Sequence, residues 1–143
     1  MRQFSTVEIK RIKLLTENSV ELTLIEPTKT GLGKSIMDAT GPVRSYLKEK
    51  LIHDYDRQKQ GQGHKISINS YLFETGSLKS STASLYRPVS KKGDPRIWFK
   101  SLPAYVKAND ILGIIAFDNE LYVINITRIE VEKLLKSKIA NPL

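Results

Sequence analysis

The residues best suited to chemistry run from Ser84 to Arg96, in the order Ser84-Leu85-Tyr86-Arg87-Pro88-Val89-Ser90-Lys91-Lys92-Gly93-Asp94-Pro95-Arg96. Cations, hydroxyls and rigid turns are combined there. Lysine and arginine neutralise phosphates, and an arginine fork also takes guanine O6 and N7 bidentately. A carboxylate such as Asp94 accepts from a cytosine amino group, although an aspartate before Pro95 serves equally well as a turn former. Arg87 and Arg96 each border a proline, which limits backbone freedom and suits a guanidinium fixed at a base edge. Lys91 and Lys92 sit beside Gly93 and suit mobile phosphate contacts.

Catalytic patterns are weaker. Gly31-Leu32-Gly33-Lys34-Ser35 ends like a phosphate-binding loop, but the position five before Gly33 is Thr28, where that loop needs glycine. A flexible basic loop is the better reading. His53 precedes Asp54 and Asp56, yet adjacent helical residues do not face one another, so a polar helix face is expected. Glu8-Ile9-Lys10 has the letters of the Glu-x-Lys element of a magnesium-dependent nuclease, but no acidic partner precedes it. Such triplets arise by chance in a chain rich in Lys and Glu. There is no cysteine, which excludes disulfides, thiolate zinc sites and a cysteine nucleophile. No catalytic residue, metal ligand or cofactor is expected.

Charge points towards a polyanion. The 143 residues carry 23 Lys and Arg against 15 Asp and Glu, a formal net charge of +8. The excess sits in the middle. Residues 28–65 contribute +4, and residues 79–107 contribute +6 with Asp94 as their only acid. One-signed stretches rich in Ser and Thr make better anion binders than scattered lysines. No stretch is apolar and long enough to span a membrane, and the start lacks a signal-peptide pattern, so a cytoplasmic protein is expected.

The elements that must position these residues are mostly strands. Val20–Leu24 alternates, as do Ile66, Ile68 and Leu72 with Ser67, Asn69, Tyr71 and Phe73. Ile97-Trp98-Phe99 predicts a short strand buried on both faces, with Trp98 and Phe99 in the core. Ile111–Phe117 and Glu120–Ile126 flank Asp118-Asn119, a pair that suits a tight hairpin turn. Val7–Leu15 fits a strand or a short helix. One helix is expected after Pro42, with Val43, Leu47, Leu51 and Tyr55 as its apolar stripe and Gly61 and Gly63 ending it. A second is expected from Thr127, with Glu130 at capping-box spacing and a stop at Asn141-Pro142. Two long basic stretches, Pro27–Ser35 and Thr75–Pro95, read as functional loops.

Lys92-Gly93-Asp94-Pro95-Arg96-Ile97-Trp98-Phe99, together with Ser84-Leu85-Tyr86-Arg87-Pro88 and Leu121-Tyr122-Val123-Ile124-Asn125, resembles the region preceding the nuclease core in restriction endonucleases of the MvaI/BcnI type. Some of those enzymes carry an N-terminal recognition domain similar to the effector-binding domain of EcoRII. The matching segments lie in the second half of the chain. The resemblance implies a DNA-binding pseudobarrel: a mixed, mainly β, open seven-stranded β-barrel with two short helices, shared with plant transcription factors of the B-three class. It also implies a wrench-like grip on the major groove by two loop arms. By position these are Thr28–Asp38, offering Lys29, Lys34, Ser35 and Asp38, and Thr75–Arg96, offering Lys79, Ser81, Arg87, Lys91, Lys92, Asp94 and Arg96. The partners it implies are double-stranded DNA and a C-terminal nuclease domain of the same protein.

The expectation is a single DNA-recognition domain over residues 1–143, either complete or a piece of a longer endonuclease, without catalysis of its own. The alternatives are a magnesium-dependent nuclease domain with an unrecognised acidic site, and an RNA- or protein-binding module.

Overall fold

Successive side chains of a strand point to opposite faces, so each strand offers two surfaces that must be buried or solvated separately. The computed structural model describes residues 1–140. Its strands are β1 (Thr23–Ile25), β2 (Ile36–Asp38), β3 (Ile66–Phe73), β4 (Leu78–Tyr86), β5 (Arg96–Phe99), β6 (Leu112–Phe117) and β7 (Glu120–Asn125). They form one seven-stranded sheet in the order β1-β6-β7-β3-β4-β5-β2. Neighbours are antiparallel except β3 and β7, which run parallel. The sheet curls into a nearly closed barrel whose free edges are β1 and β2, giving the mixed, mainly β, open barrel expected from the sequence.

The inward face of every strand feeds one core. Ile25, Met37, Leu72, Ala83, Leu85, Ile97, Phe99, Leu112, Ile114, Leu121 and Val123 meet there. Helix α3 (Pro42–Glu49) adds Val43 and Leu47 to the same cluster. Each fully buried aliphatic side chain stabilises the fold by about 1.5–3 kcal/mol relative to exposure.

A second core lies outside the barrel. The outward residues Phe73, Ile115, Tyr122 and Ile124 pack with Leu15 of helix α1 (Thr6–Glu17) and with Val131 and Leu134 of helix α4 (Val131–Leu135). These two helices therefore cover β6, β7 and the C-terminal end of β3 from outside. The short helix α2 (Lys29–Gly33) precedes β2.

Several expectations need correction. Four α-helices stand where two were expected among the described residues. Val7–Leu15 is helical within α1, because Ser5 and Glu8 form a reciprocal capping box at its start. The stripe Val43, Leu47, Leu51, Tyr55 breaks after Glu49. Leu51 is exposed with φ 59°, and Tyr55 is buried from a one-turn 3₁₀ helix (Tyr55–Arg57). The cause is local: the Asp54 carboxylate accepts from the Asp56 amide and favours the turn over the helix. The last helix begins at Val131 rather than Thr127, because the Thr127 hydroxyl is occupied with the Ile111 amide and the Glu8 carboxylate. Its expected stop at Asn141-Pro142 lies outside the described residues. Thr75–Pro95 is not one loop, since β4 runs through it. Trp98 is not in the core: Ile97 and Phe99 point inward, while Trp98 is half-buried on the outer side. The Asp118-Asn119 turn is as expected, with both residues at positive φ between β6 and β7.

Candidate nucleic-acid interface

Alternation that sends Ala83, Leu85, Ile97, Phe99 and Met37 inward sends their neighbours outward. Strand register then arranges these neighbours in rows. Asp38, Arg96 and Tyr86 stand side by side across β2, β5 and β4. Ile36, Trp98, Ser84 and Ser67 form the next row across β2, β5, β4 and β3. Thr82 and Asn69 follow, with Lys100 joined to them through its amide, which donates to the Thr82 carbonyl. Among the described residues, no helix of the second core packs on this half of the sheet. The uncovered surface therefore presents the Ser67 and Thr82 hydroxyls, the Asn69 amide, the Trp98 indole and the Arg96 and Lys100 cations in fixed order, with Ser84 buried within its row.

Two loops approach this face from opposite ends. β2 and β5 are antiparallel, so Lys34 and Ser35 lie at the Phe99 end, where the Ser35 carbonyl accepts from the Phe99 amide at 2.8 Å. Residues 87–95 enter at the Arg96 end, where the Pro95 carbonyl accepts from the Ala39 amide at 2.9 Å. At the loop tip Lys91, Lys92 and Gly93 all have positive φ, an arrangement non-glycine residues adopt only when the surroundings hold it.

Arg87 supplies much of that hold. Its Nε donates to the Gly93 carbonyl at 2.8 Å, and its Nη1 donates to the carbonyls of Gln58 at 3.1 Å and Tyr55 at 3.4 Å. The segment beneath is itself fixed. Gln58 Nε2 donates to the carbonyls of His64 and Leu85, and its Oε1 meets His53 Nε2 at 3.0 Å. The buried Tyr55 hydroxyl donates to the Arg96 carbonyl at 3.0 Å. A Cβ on Gly93 would run into the Gln60 side chain, and its φ of 70° also favours glycine.

The expected site residues thus divide. Asp38 and Arg96 are cross-strand neighbours on the outer face, Lys34 and Ser35 flank one end, and Lys91, Lys92 and Asp94 flank the other. Lys29 lines a cleft at the open seam between β1 and β2, together with Asp38 and Thr40. Lys79 and Ser81 alternate to the inner side of β4. There the Lys79 ammonium lies 4.2 Å from the Tyr105 ring centroid, and the Ser81 hydroxyl donates to the Lys100 carbonyl. Arg87 braces the loop. Sequence reading did not single out Ser67, Asn69, Thr82 or Lys100 and placed Trp98 in the core, while Ser84 opened the basic segment it did single out. The Ser/Thr-rich alternation of Ser80, Thr82 and Ser84 against Ala83 and Leu85 was the available signal.

No family model, no curated protein and no solved structure matches this chain.

The charges of the interface are uncommitted. Ion pairs among the described residues lie elsewhere, as in Arg2–Glu8, Arg44–Asp56, Lys50–Glu21 and Arg128–Asp110. None involves Lys34, Lys91, Lys92, Arg96 or Lys100. Glu8, the acid of the Glu-x-Lys triplet, is buried and accepts from Arg2, Thr127 and the Ser5 amide. The Arg2 guanidinium holds its carboxyl down at about 2. His53 is buried against Gln58 and edge-on to Tyr55. Among the described residues, no group of three or more His, Cys, Asp or Glu side chains is placed to hold a metal ion, and no helix is long and apolar enough to cross a membrane.

Proposed function

We propose that this chain binds double-stranded DNA in the major groove through the uncovered outer face of β2, β5, β4 and β3. Lys34 and Ser35 flank one end of the site, and the loop of Lys91, Lys92 and Asp94 flanks the other. The observation that carries the reading is that, among the described residues, neither the helices of the second core nor an ion pair engages the half of the sheet where the outward residues are Arg96, Trp98, Thr82, Asn69 and Lys100. Hydroxyl and amide side chains pair with base edges and phosphates, and cations release counterions from the duplex. The resemblance to recognition domains of MvaI/BcnI-type restriction endonucleases supports the same partner. It adds the role: target recognition for a nuclease domain of the same protein, with no catalysis in this one.

Salt titration tests the proposal. A grip of about six phosphates loses roughly a thousandfold in duplex affinity between 50 and 200 mM salt. Duplex DNA should also outcompete structured RNA, and plasmid should stay intact with Mg²⁺. An affinity nearly flat in salt, or a preference for RNA, contradicts the reading.

A further inference from the structure

We infer that Asp38 and Arg96 act as one unit that reads a single G·C base pair; the inference rests on the duplex-binding reading above. The two residues are direct cross-strand partners in the β2–β5 pairing, so their side chains rise from adjacent points on the outer face. Cβ atoms of such partners stand about 4.5–5.5 Å apart. Opposite charges this close normally form an ion pair. Here they do not: no ion pair joins Asp38 to any cation among the described residues, and Arg96 Nε is buried without a hydrogen-bond partner. The buried Nε lies out of a ligand's reach, and the terminal nitrogens of the fork, which take no acceptor within the described residues either, are left to meet one.

The chemistry of one base pair fits both side chains. On the major-groove edge guanine offers N7 and O6 as acceptors, and cytosine offers its N4 amino group beside them as donor. An arginine fork takes the first pair, and a carboxylate takes the amino hydrogen. The two protein groups thus complement adjacent atoms of the same pair, with Arg96 on guanine and Asp38 on cytosine. An A·T pair offers no such pattern, because its adenine places a donor where guanine has O6.

The backbone around the unit is stiff. The Arg96 carbonyl accepts from the Tyr55 hydroxyl, and the preceding Pro95 carbonyl accepts from the Ala39 amide next to Asp38. This cross-link sets both residues in one frame, as base readout requires and phosphate contact does not.

Asp38 also gives the inference an unusual signature. As an acid in a basic interface it repels phosphates, so its removal strengthens non-specific binding while relaxing specificity. The experiment is selection of bound sequences from a random duplex library with wild type, Arg96→Lys, Arg96→Ala and Asp38→Ala, with melting temperature measured alongside. The wild type should select a site with a required G·C pair. All three variants should relax preference at that same pair by about tenfold or more, leaving other positions unchanged. Arg96→Lys retains charge and fold but lacks the fork, so its loss of preference isolates bidentate readout. Asp38→Ala should at the same time bind random duplex more tightly than wild type. Placing 7-deazaguanine at the pair should weaken wild type about tenfold and leave Arg96→Ala unaffected. Relaxation at different base pairs, or a uniform gain for Asp38→Ala with preferences intact, overturns the unit while leaving duplex binding in place. A wild type that selects no duplex overturns the interface and the unit together.

Discussion

The two halves of the barrel's outer surface are built by the same alternation and end in opposite ways. Outward from β6, β7 and the end of β3 stand Ile115, Tyr122, Ile124 and Phe73, sealed under α1 and α4. Outward from β3, β4, β5 and β2 stand Asn69, Thr82, Ser84, Arg96, Trp98 and Asp38, outside the cluster that α1 and α4 seal among the described residues. Polar residues facing water on an antiparallel sheet are ordinary. A half-buried indole beside an unpartnered guanidinium Nε is not what solvation alone would favour. The difference assigns separate duties: the covered half holds the fold, and the uncovered half is free to meet a partner.

Substitutions on the two halves should therefore give separable effects. The largest is expected under the helices. Ile124→Ala leaves a cavity between β7 and the second core, and should cost about 2–5 kcal/mol of stability while leaving the affinity of the folded fraction unchanged. Trp98→Ala, on the other half, should reverse the pattern and lose duplex affinity at less than about 1.5 kcal/mol of stability. Calorimetry paired with a binding titration on each variant reads both quantities.

Next comes the Glu8 ion pair, which fastens the N-terminal segment and α1 to Thr127 on the covered half. Its carboxyl sits at about 2 in the fold against an ordinary 4.5. The stabilisation is fully present above the ordinary value and is lost as pH falls from there towards 2. Glu8→Gln should cost roughly 2–3 kcal/mol near neutrality and flatten the acid limb of a stability-against-pH curve. A parallel acid limb in the variant would assign the pH dependence to other groups.

Arg87 sharpens the comparison on the uncovered side. Because its Nε and Nη1 are spent on three carbonyls, Arg87→Ala should weaken binding to all duplexes by about tenfold and raise amide exchange in residues 88–95. Relaxation at one base pair with an unchanged loop would make Arg87 a reader instead. The smallest effects belong to Lys91→Ala and Lys92→Ala. Each should lower affinity a few-fold on every sequence and reduce the salt slope by about one.

Much of this division was legible in the sequence, and the reasons for the exceptions are physical. The β3 alternation and the Asp118-Asn119 hairpin follow from local rules and stand as expected. β4 was hidden because beyond Leu78 its outward face carries Ser80, Thr82 and Ser84, which read as loop. Trp98 was misplaced because three consecutive apolar residues do not show which of them faces out. The carbonyls that Arg87 meets on Tyr55 and Gln58 lie 32 and 29 residues away, so its place under the loop is not readable from the neighbouring Pro88. The Ser5–Glu8 capping box was present in the sequence, but exposed Val7, Ile9 and Leu14 blur the apolar stripe of α1.

The most direct test of the interface places a negative charge at its centre. Thr82 points outward from the middle of β4, beside Asn69 and Lys100. Thr82→Glu should lower duplex affinity by at least about a hundredfold, since like charge brought against the phosphates costs several kcal/mol, and should leave the melting temperature nearly unchanged. The control is Lys10→Glu on the exposed side of α1, which removes twice as much positive charge from the whole molecule. It should change affinity by less than about threefold at physiological salt. Equal losses in the two variants, or full binding by Thr82→Glu, would contradict the assignment of DNA binding to the uncovered face.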